Sequence, residues 1–216
     1  PNGQMLSLPF NRSTTVLHYN KDAFRAAGLD PNSPPKTWPE VALAAAKLKA
    51  SGHKCPFTTT WQSWTPLESF SAWHNVEFAT KRNGFNGLDT RLNILTPLHV
   101  RHIENLANMA QQGLFVYKGR SGAADATFQS GECAMYTGSS AAYGGIKRNL
   151  KAEAGISTLP YSPDVPGAPQ NTVIGGASLW TLSGKKPEEY KGVALFFKYL
   201  SDPEVQAKSH QDTGYL

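Results

Sequence analysis

Residues 37–60 read TWPEVALAAAKLKASGHKCPFTTT, and the change of rhythm inside this stretch decides the fold class. Thr37 and Glu40 stand in the T-x-x-E spacing of a capping box, in which each side chain satisfies a backbone N–H at a helix start. Val41, Ala44, Ala45 and Leu48 then form one apolar stripe at helical spacing, and Gly52 marks the end. From Cys55 to Thr60 the composition turns to compact and β-branched residues, which fit a strand. A capped helix feeding a strand is the repeating unit of an α/β architecture.

The same alternation extends outward. Thr15-Val16-Leu17-His18-Tyr19 reads as a strand, after which Asn20 caps a short helix through Phe24 and Ala27 that Gly28 terminates. Residues 29–35 are too rich in proline for regular structure. Beyond Thr60, Phe70 and Trp73 suggest a packed helix. Thr96-Pro97 opens another, with Val100, Ile103, Leu106, Ala107 and Ala110 as its expected buried stripe and Gly113 as its stop. A short helix is expected between Ala123 and Ser130. Residues 131–137 then form a turn feeding a strand, and Ser139-Ser140 sit where a new helix begins. Residues 155–160 and 173–182 read as strands, the second interrupted by Gly175-Gly176. The last part is helical: Pro187 starts a stripe of Tyr190, Val193, Ala194, Phe197 and Leu200, and Ser201 with Glu204 is expected to cap its successor. Repeats and low-complexity tracts are absent.

The chain has 216 residues, 40% of them hydrophobic, enough to bury a full core. No apolar run approaches the roughly 18 residues of a membrane-spanning helix. Pro1 to Met5 show neither a basic nor an apolar leader, so an export signal is expected outside this sequence. A net charge of +5, from 21 basic and 16 acidic residues, is spread along the chain. Its basic runs are only pairs such as Lys81-Arg82, Lys147-Arg148 and Lys185-Lys186, so nucleic acid is not an expected partner. Cys55 and Cys133 exclude a disulfide-dense scaffold and a four-cysteine metal site. They are equally compatible with one bridge and with two buried thiols.

Conventional catalytic signatures are missing. The six histidines include no HExxH and no Cys/His spacing for a metal; His99 and His102 share a helix face, and the expectation there is a solvated surface. No metal, cofactor or catalytic residue is expected, because the chain has no G-x-S-x-G elbow, no P-loop and no G-x-G-x-x-G after a strand. Three other clusters remain. Trp61 and Trp64 lie in a loop after a strand, where indole rings can either wall a polyol or pack at the base of the loop. Ser139 and Ser140 place hydroxyls and free backbone N–H groups at a helix start, a position suited to an anion, although a plain N-cap is the commoner meaning of such residues. Gly175-Gly176 implies close approach to a ligand or to another segment, or else a bend.

Taken in order, several pieces carry a resemblance: residues 9–14 (PFNRST), 19–24 (YNKDAF), 35–38 (PKTW), 61–64 (WQSW), 131–135 (GECAM), 169–180 (PQNTVIGGASLW) and 213–216 (TGYL). Together they resemble the extracellular solute-binding proteins of bacterial ABC importers, the cluster that includes the maltose-binding protein, and within it the glycerol-phosphate-binding group. The resemblance implies a type II periplasmic-binding-protein fold, with two α/β lobes that close on a ligand by a hinge. On that basis 1–13 is hinge-proximal, 14–172 is most of the second lobe and 173–216 crosses back to the first lobe, the rest of both lobes lying outside this chain. Ligand contacts would fall on Ser13, Trp61, Trp64, Ser139, Gly176 and Tyr215. The implied ligand is sn-glycerol-3-phosphate or a glycerophosphodiester such as glycerophosphocholine. The implied partners are the ABC permease subunits, and the implied location is the periplasm, with the full-length protein a monomer.

Arg12 and Thr58-Thr59-Thr60 depart from the glycerol-phosphate pattern, and they leave the head-group preference open. Two alternatives remain: an oligosaccharide binder of the same fold, or a hydrolase using Glu68 and Glu132, the acids nearest in sequence to the tryptophans.

Overall fold

A computed structural model describes residues 6–215. In chain order the elements are β1 (Leu8–Ser13), β2 (Thr15–Asn20), α1 (Lys21–Ala26), α2 (Trp38–Ala50), β3 (Cys55–Thr59), a π-helical turn (Trp64–Ser69), α3 (Phe70–Trp73), α4 (Thr80–Asn83), α5 (Pro97–Gln111), α6 (Asp125–Gln129), β4 (Cys133–Ser139), a 3-10 turn (Ser140–Ala142), α7 (Tyr143–Asn149), β5 (Ala154–Thr158), β6 (Gly175–Leu179), α8 (Pro187–Leu200) and α9 (Pro203–Thr213). They belong to two compact units. One gathers residues 6–14, 139–144 and 174–215; the other holds 15–138 and 145–173.

The larger unit is built on a four-stranded sheet in the order β3-β4-β2-β5. β3 and β4 run parallel, which requires the long connection through α3 to α6. β2 and β5 are antiparallel. The capping box of α2 forms as its spacing predicts: Thr37 Oγ1 accepts from the Glu40 N–H at 3.4 Å and Glu40 Oε2 accepts from the Thr37 N–H at 3.0 Å. Val41, Ala44, Ala45 and Leu48 are buried as their stripe requires, and they pack with Leu17, Phe24, Phe57, Phe70 and Met135 in one core. Cys55 and Cys133, partners in the β3/β4 register, are joined as a disulfide.

The buried face of α5 differs from expectation. His99, His102, Leu106 and Met109 are buried, while Val100 and Ile103 stand 42% and 47% exposed. Aromatic and hydroxyl groups receive the two imidazoles: His102 stacks on Phe70 with ring centroids 3.9 Å apart, and His99 Nε2 lies 2.7 Å from Ser71 Oγ. The histidines expected on the surface are therefore core residues, and the helix is turned to bring them there.

The smaller unit contains the antiparallel pair β1 and β6 together with α8 and α9. β1 had no strand signal, because Pro9 and a bulge before Asn11 interrupt its alternation. The expected stripe of α8 is not buried: no residue of that helix is, and Phe196 and Tyr199 are 52% and 60% exposed. A two-stranded ladder offers too little face to cover it. α9 is capped by Asp202, whose Oδ1 accepts from the Glu204 N–H at 2.9 Å, one residue later than expected.

Candidate functional site

In the larger unit, β3 ends where Thr60 donates its N–H to the Thr137 carbonyl at 3.1 Å, and the two tryptophans follow at once. Side-chain chemistry at this edge is placed by the carboxyl ends of parallel strands, the usual location of ligand groups in α/β sheets. Trp61 takes a left-handed backbone conformation with φ of 52°, uncommon for a bulky residue. It is held there by its N–H donating to the Ser121 carbonyl at 2.9 Å and its own carbonyl accepting from Thr65 at 2.8 Å. Gln62 clamps the same neighbour: its Nε2 donates to the Gly119 carbonyl at 2.6 Å and its Oε1 accepts from the Ser121 N–H at 3.1 Å. The Trp61 ring remains 42% exposed. Trp64 opens the π-helical turn half-buried, and its indole N–H donates to the Val173 carbonyl at 3.3 Å. That donor is satisfied within the unit, so the Trp64 ring face is what it has to offer a ligand.

Ser13, Ser139, Gly176 and Tyr215 all belong to the smaller unit. Ser13 ends β1 opposite Gly175, and Arg12 pairs with Gly176. Gly176 has φ of 135°, and a Cβ there would stand 2.1 Å from the Asn11 carbonyl oxygen. The close approach that its sequence implied is made by β1. Ser139 caps the 3-10 turn, its Oγ accepting from the Ala141 N–H at 3.1 Å. The next residue, Ser140, bonds Thr14 in both directions. Gly214, left-handed at φ of 77°, presses so close that a Cβ would lie 2.7 Å from the Ser140 carbonyl oxygen. Tyr215 follows it, half-buried, with its carbonyl accepting from His210 Nδ1 at 2.9 Å. One ladder and two backbone contacts thus bring the ends of β1, β4 and α9 together with Gly176. Ser13 also lines a groove of about 390 Å³ with Arg12, Asn11, Gln206 and His210.

Sequence reasoning missed a polar pair beside Trp61. Tyr136, fully buried and stacked on His18 with centroids 5.3 Å apart, donates its hydroxyl to Asp125 Oδ1. Burial, and then the neighbouring carboxylate, push the Tyr136 phenol well above its ordinary range, so it stays a donor. Burial likewise raises the Asp125 carboxyl, with the Tyr136 hydrogen bond opposing it. No local motif marks such a pair, since its members meet only through packing of α6 on β4. Glu132, one of the two acids considered from the sequence, is engaged by Lys118. Among the described residues no cluster of His, Cys, Asp or Glu could hold a metal ion, and no helix is long and apolar enough to cross a membrane.

The α/β sheet carries aromatic and hydroxyl groups at its strand ends, an arrangement that fits a ligand-binding protein. The chain belongs to the bacterial extracellular solute-binding protein family, whose profile matches residues 1–216. Among its relatives is the sn-glycerol-3-phosphate-binding periplasmic protein UgpB of Yersinia pestis, 49% identical over 214 residues that make up 99% of this chain and 49% of the relative. UgpB of Salmonella typhimurium is 50% identical over 214 residues, again 99% of this chain and 49% of the relative. The chain therefore spans about half the length of the relatives it matches. In structure it is similar to UgpB from Mycobacterium tuberculosis in complex with glycerophosphocholine, with a TM-score of 0.79, 23% identity, and coverage of 100% of this chain and 52% of that one. It is also similar to maltose-bound MalE3 of T. maritima, with a TM-score of 0.81, 19% identity, and coverage of 100% and 55%. At such identities these likenesses establish the fold, that of the type II periplasmic solute-binding proteins.

Proposed function

We propose that this chain is part of the substrate-binding component of an ABC importer that captures sn-glycerol-3-phosphate or glycerophosphodiesters in the periplasm and presents them to membrane permease subunits. Ser13, Trp61, Trp64, Ser139, Gly176 and Tyr215 are its proposed ligand contacts. Hydroxyls and a backbone amide suit phosphate oxygens, and indole faces suit the glycerol carbons. The observation that carries the reading is the meeting of Ser13, Ser139, Gly176 and the Gly214-Tyr215 turn in one unit. Identity of about half across nearly the whole chain to proteins named for glycerol-3-phosphate binding supports it.

Residues 14–172 are assigned to the second lobe, and 1–13 and 173–216 to the hinge and the first lobe; by contacts, residues 14 and 139–144 group with the smaller unit and residue 173 with the larger. The exposed apolar face of α8 supports this, since it fits a lobe whose remainder lies outside these residues. The full-length protein acts as a monomer and performs no catalysis in this reading.

Calorimetry on the full-length protein tests it. Glycerol-3-phosphate or glycerophosphocholine is expected to bind, and Trp61→Ala or Trp64→Ala to weaken binding by about 1–3 kcal/mol. Maltose is expected to give no heat. Binding of maltose alone would transfer the assignment to the oligosaccharide binders, and turnover of a glycerophosphodiester would transfer it to the hydrolases.

A further inference from the structure

Asp125 stands beside Trp61 at the edge where β3 and β4 end. A Cβ built on Gly122 would lie 3.0 Å from Asp125 Oδ2 and 3.5 Å from Trp61 Cζ2, so the carboxylate and the indole flank the same small gap. The carboxylate is fixed there. Its Oδ1 takes the Tyr136 hydroxyl, and that phenol is wedged so tightly that a Cβ on Gly138 would stand 2.2 Å from its oxygen and 2.7 Å from Thr60 Oγ1. None of the ion pairs among the described residues uses Asp125. An oriented but unpaired carboxylate next to a half-exposed indole combines the two features that attract a quaternary or primary ammonium group, a fixed negative charge and an electron-rich ring face. The same charge repels a phosphate dianion.

From this geometry we infer that Asp125, positioned by Tyr136, selects ligands that carry a cationic head group, as glycerophosphocholine and glycerophosphoethanolamine do, over glycerol-3-phosphate. The inference rests on the binding function proposed above and names the head-group chemistry of that site. Gly122 and Gly138 are required by it, because side chains there would displace the carboxylate or the phenol that holds it.

Isothermal titration of the full-length protein with glycerophosphocholine and with glycerol-3-phosphate provides the test. The wild type is expected to bind glycerophosphocholine more tightly. Asp125→Asn is expected to lower the ratio of the two affinities by about tenfold, while Asp125→Glu, which keeps the charge, retains most of it. Tyr136→Phe leaves the charge but frees the carboxylate to turn, and a fall of about threefold is expected; this variant decides the matter should Asp125→Asn not fold. A ratio that Asp125→Asn and Tyr136→Phe both leave unchanged, or a wild type that prefers glycerol-3-phosphate, overturns the inference and leaves the binding function standing. A wild type that binds neither compound overturns the binding function itself.

Discussion

Ser140 and Thr14 are bonded reciprocally: the Ser140 N–H donates to the Thr14 carbonyl at 2.8 Å, and the Thr14 N–H reaches Ser140 Oγ at 3.3 Å. Each therefore fixes the residue before it, Ser13 on one side and Ser139 on the other, and both of these are proposed ligand contacts. Ser140→Ala removes the side-chain half of the pair at a buried position. A loss of about 1 kcal/mol in urea unfolding is expected, together with weaker glycerol-3-phosphate binding, since Ser13 and Ser139 lose a common reference. An unchanged affinity would mean that the backbone half suffices.

Gly176 gives a sharper outcome. Its φ of 135° disfavours any side chain, and the Asn11 carbonyl occupies the space that a Cβ would take. Gly176→Ala must push β1 from β6 or rotate the peptide, and either change breaks the ladder beside Arg12 and Ser13. The expected cost is about 1–3 kcal/mol, with ligand affinity reduced as well. A variant as stable as wild type would show that the strand pair yields freely at this point.

How far sequence alone reaches depends on the range of the interaction. The capping box of α2 is written in residues three apart, and its stripe is buried as spacing predicts. The placement of Trp61 and Trp64 after a strand was legible for the same local reason. The face of α5 was not, because what decides it is Phe70 and Ser71, rings and hydroxyls supplied by a distant helix. The smaller unit was hard to delimit, since it draws on three separate stretches of chain and β1 carries a proline and a bulge. Asp125 lay hidden because its meaning comes from Tyr136, on the following strand, and from Trp61, remote in sequence, neither at a spacing that a local motif marks.

The Cys55–Cys133 disulfide closes a sequence separation of 78 residues and ties the first register pair of β3 and β4. In the chain-entropy account such a loop contributes about 4 kcal/mol by restricting the unfolded state. Replacing both cysteines with alanine is expected to lower unfolding free energy by about 2–5 kcal/mol, and reductant to lower the wild-type midpoint in the same direction. Urea titrations with and without reductant measure it. A double variant of wild-type stability would show that the strands are held by packing alone.

Acid sensitivity is expected from three of the buried imidazoles, those of His74, His99 and His102. His74 is held as a neutral ring: Nδ1–H donates to the Phe70 carbonyl at 2.7 Å and Nε2 accepts from the Ser162 N–H at 2.8 Å, a bond that a second proton would destroy. His99 lies between Thr96 Oγ1 and Ser71 Oγ, and His102 between the rings of Phe70 and Trp38. Arg101 and Asp164, an ion pair, are the charged neighbours acting on His74, with opposite effects. Burial lowers the pKa of all three histidines, that of His102 to about 3. With folded values below the unfolded one, their stabilising effect is complete above about pH 6.5 and is lost as pH falls toward the folded values, because the unfolded chain binds protons first. The urea midpoint should thus drop steadily from about pH 6.5 to about pH 4. His102→Leu, which removes the most strongly shifted group, should flatten that slope even if it costs stability at neutral pH. Equal midpoints at both ends of this range would mean that the imidazoles gain protons in the folded protein as readily as in the unfolded chain.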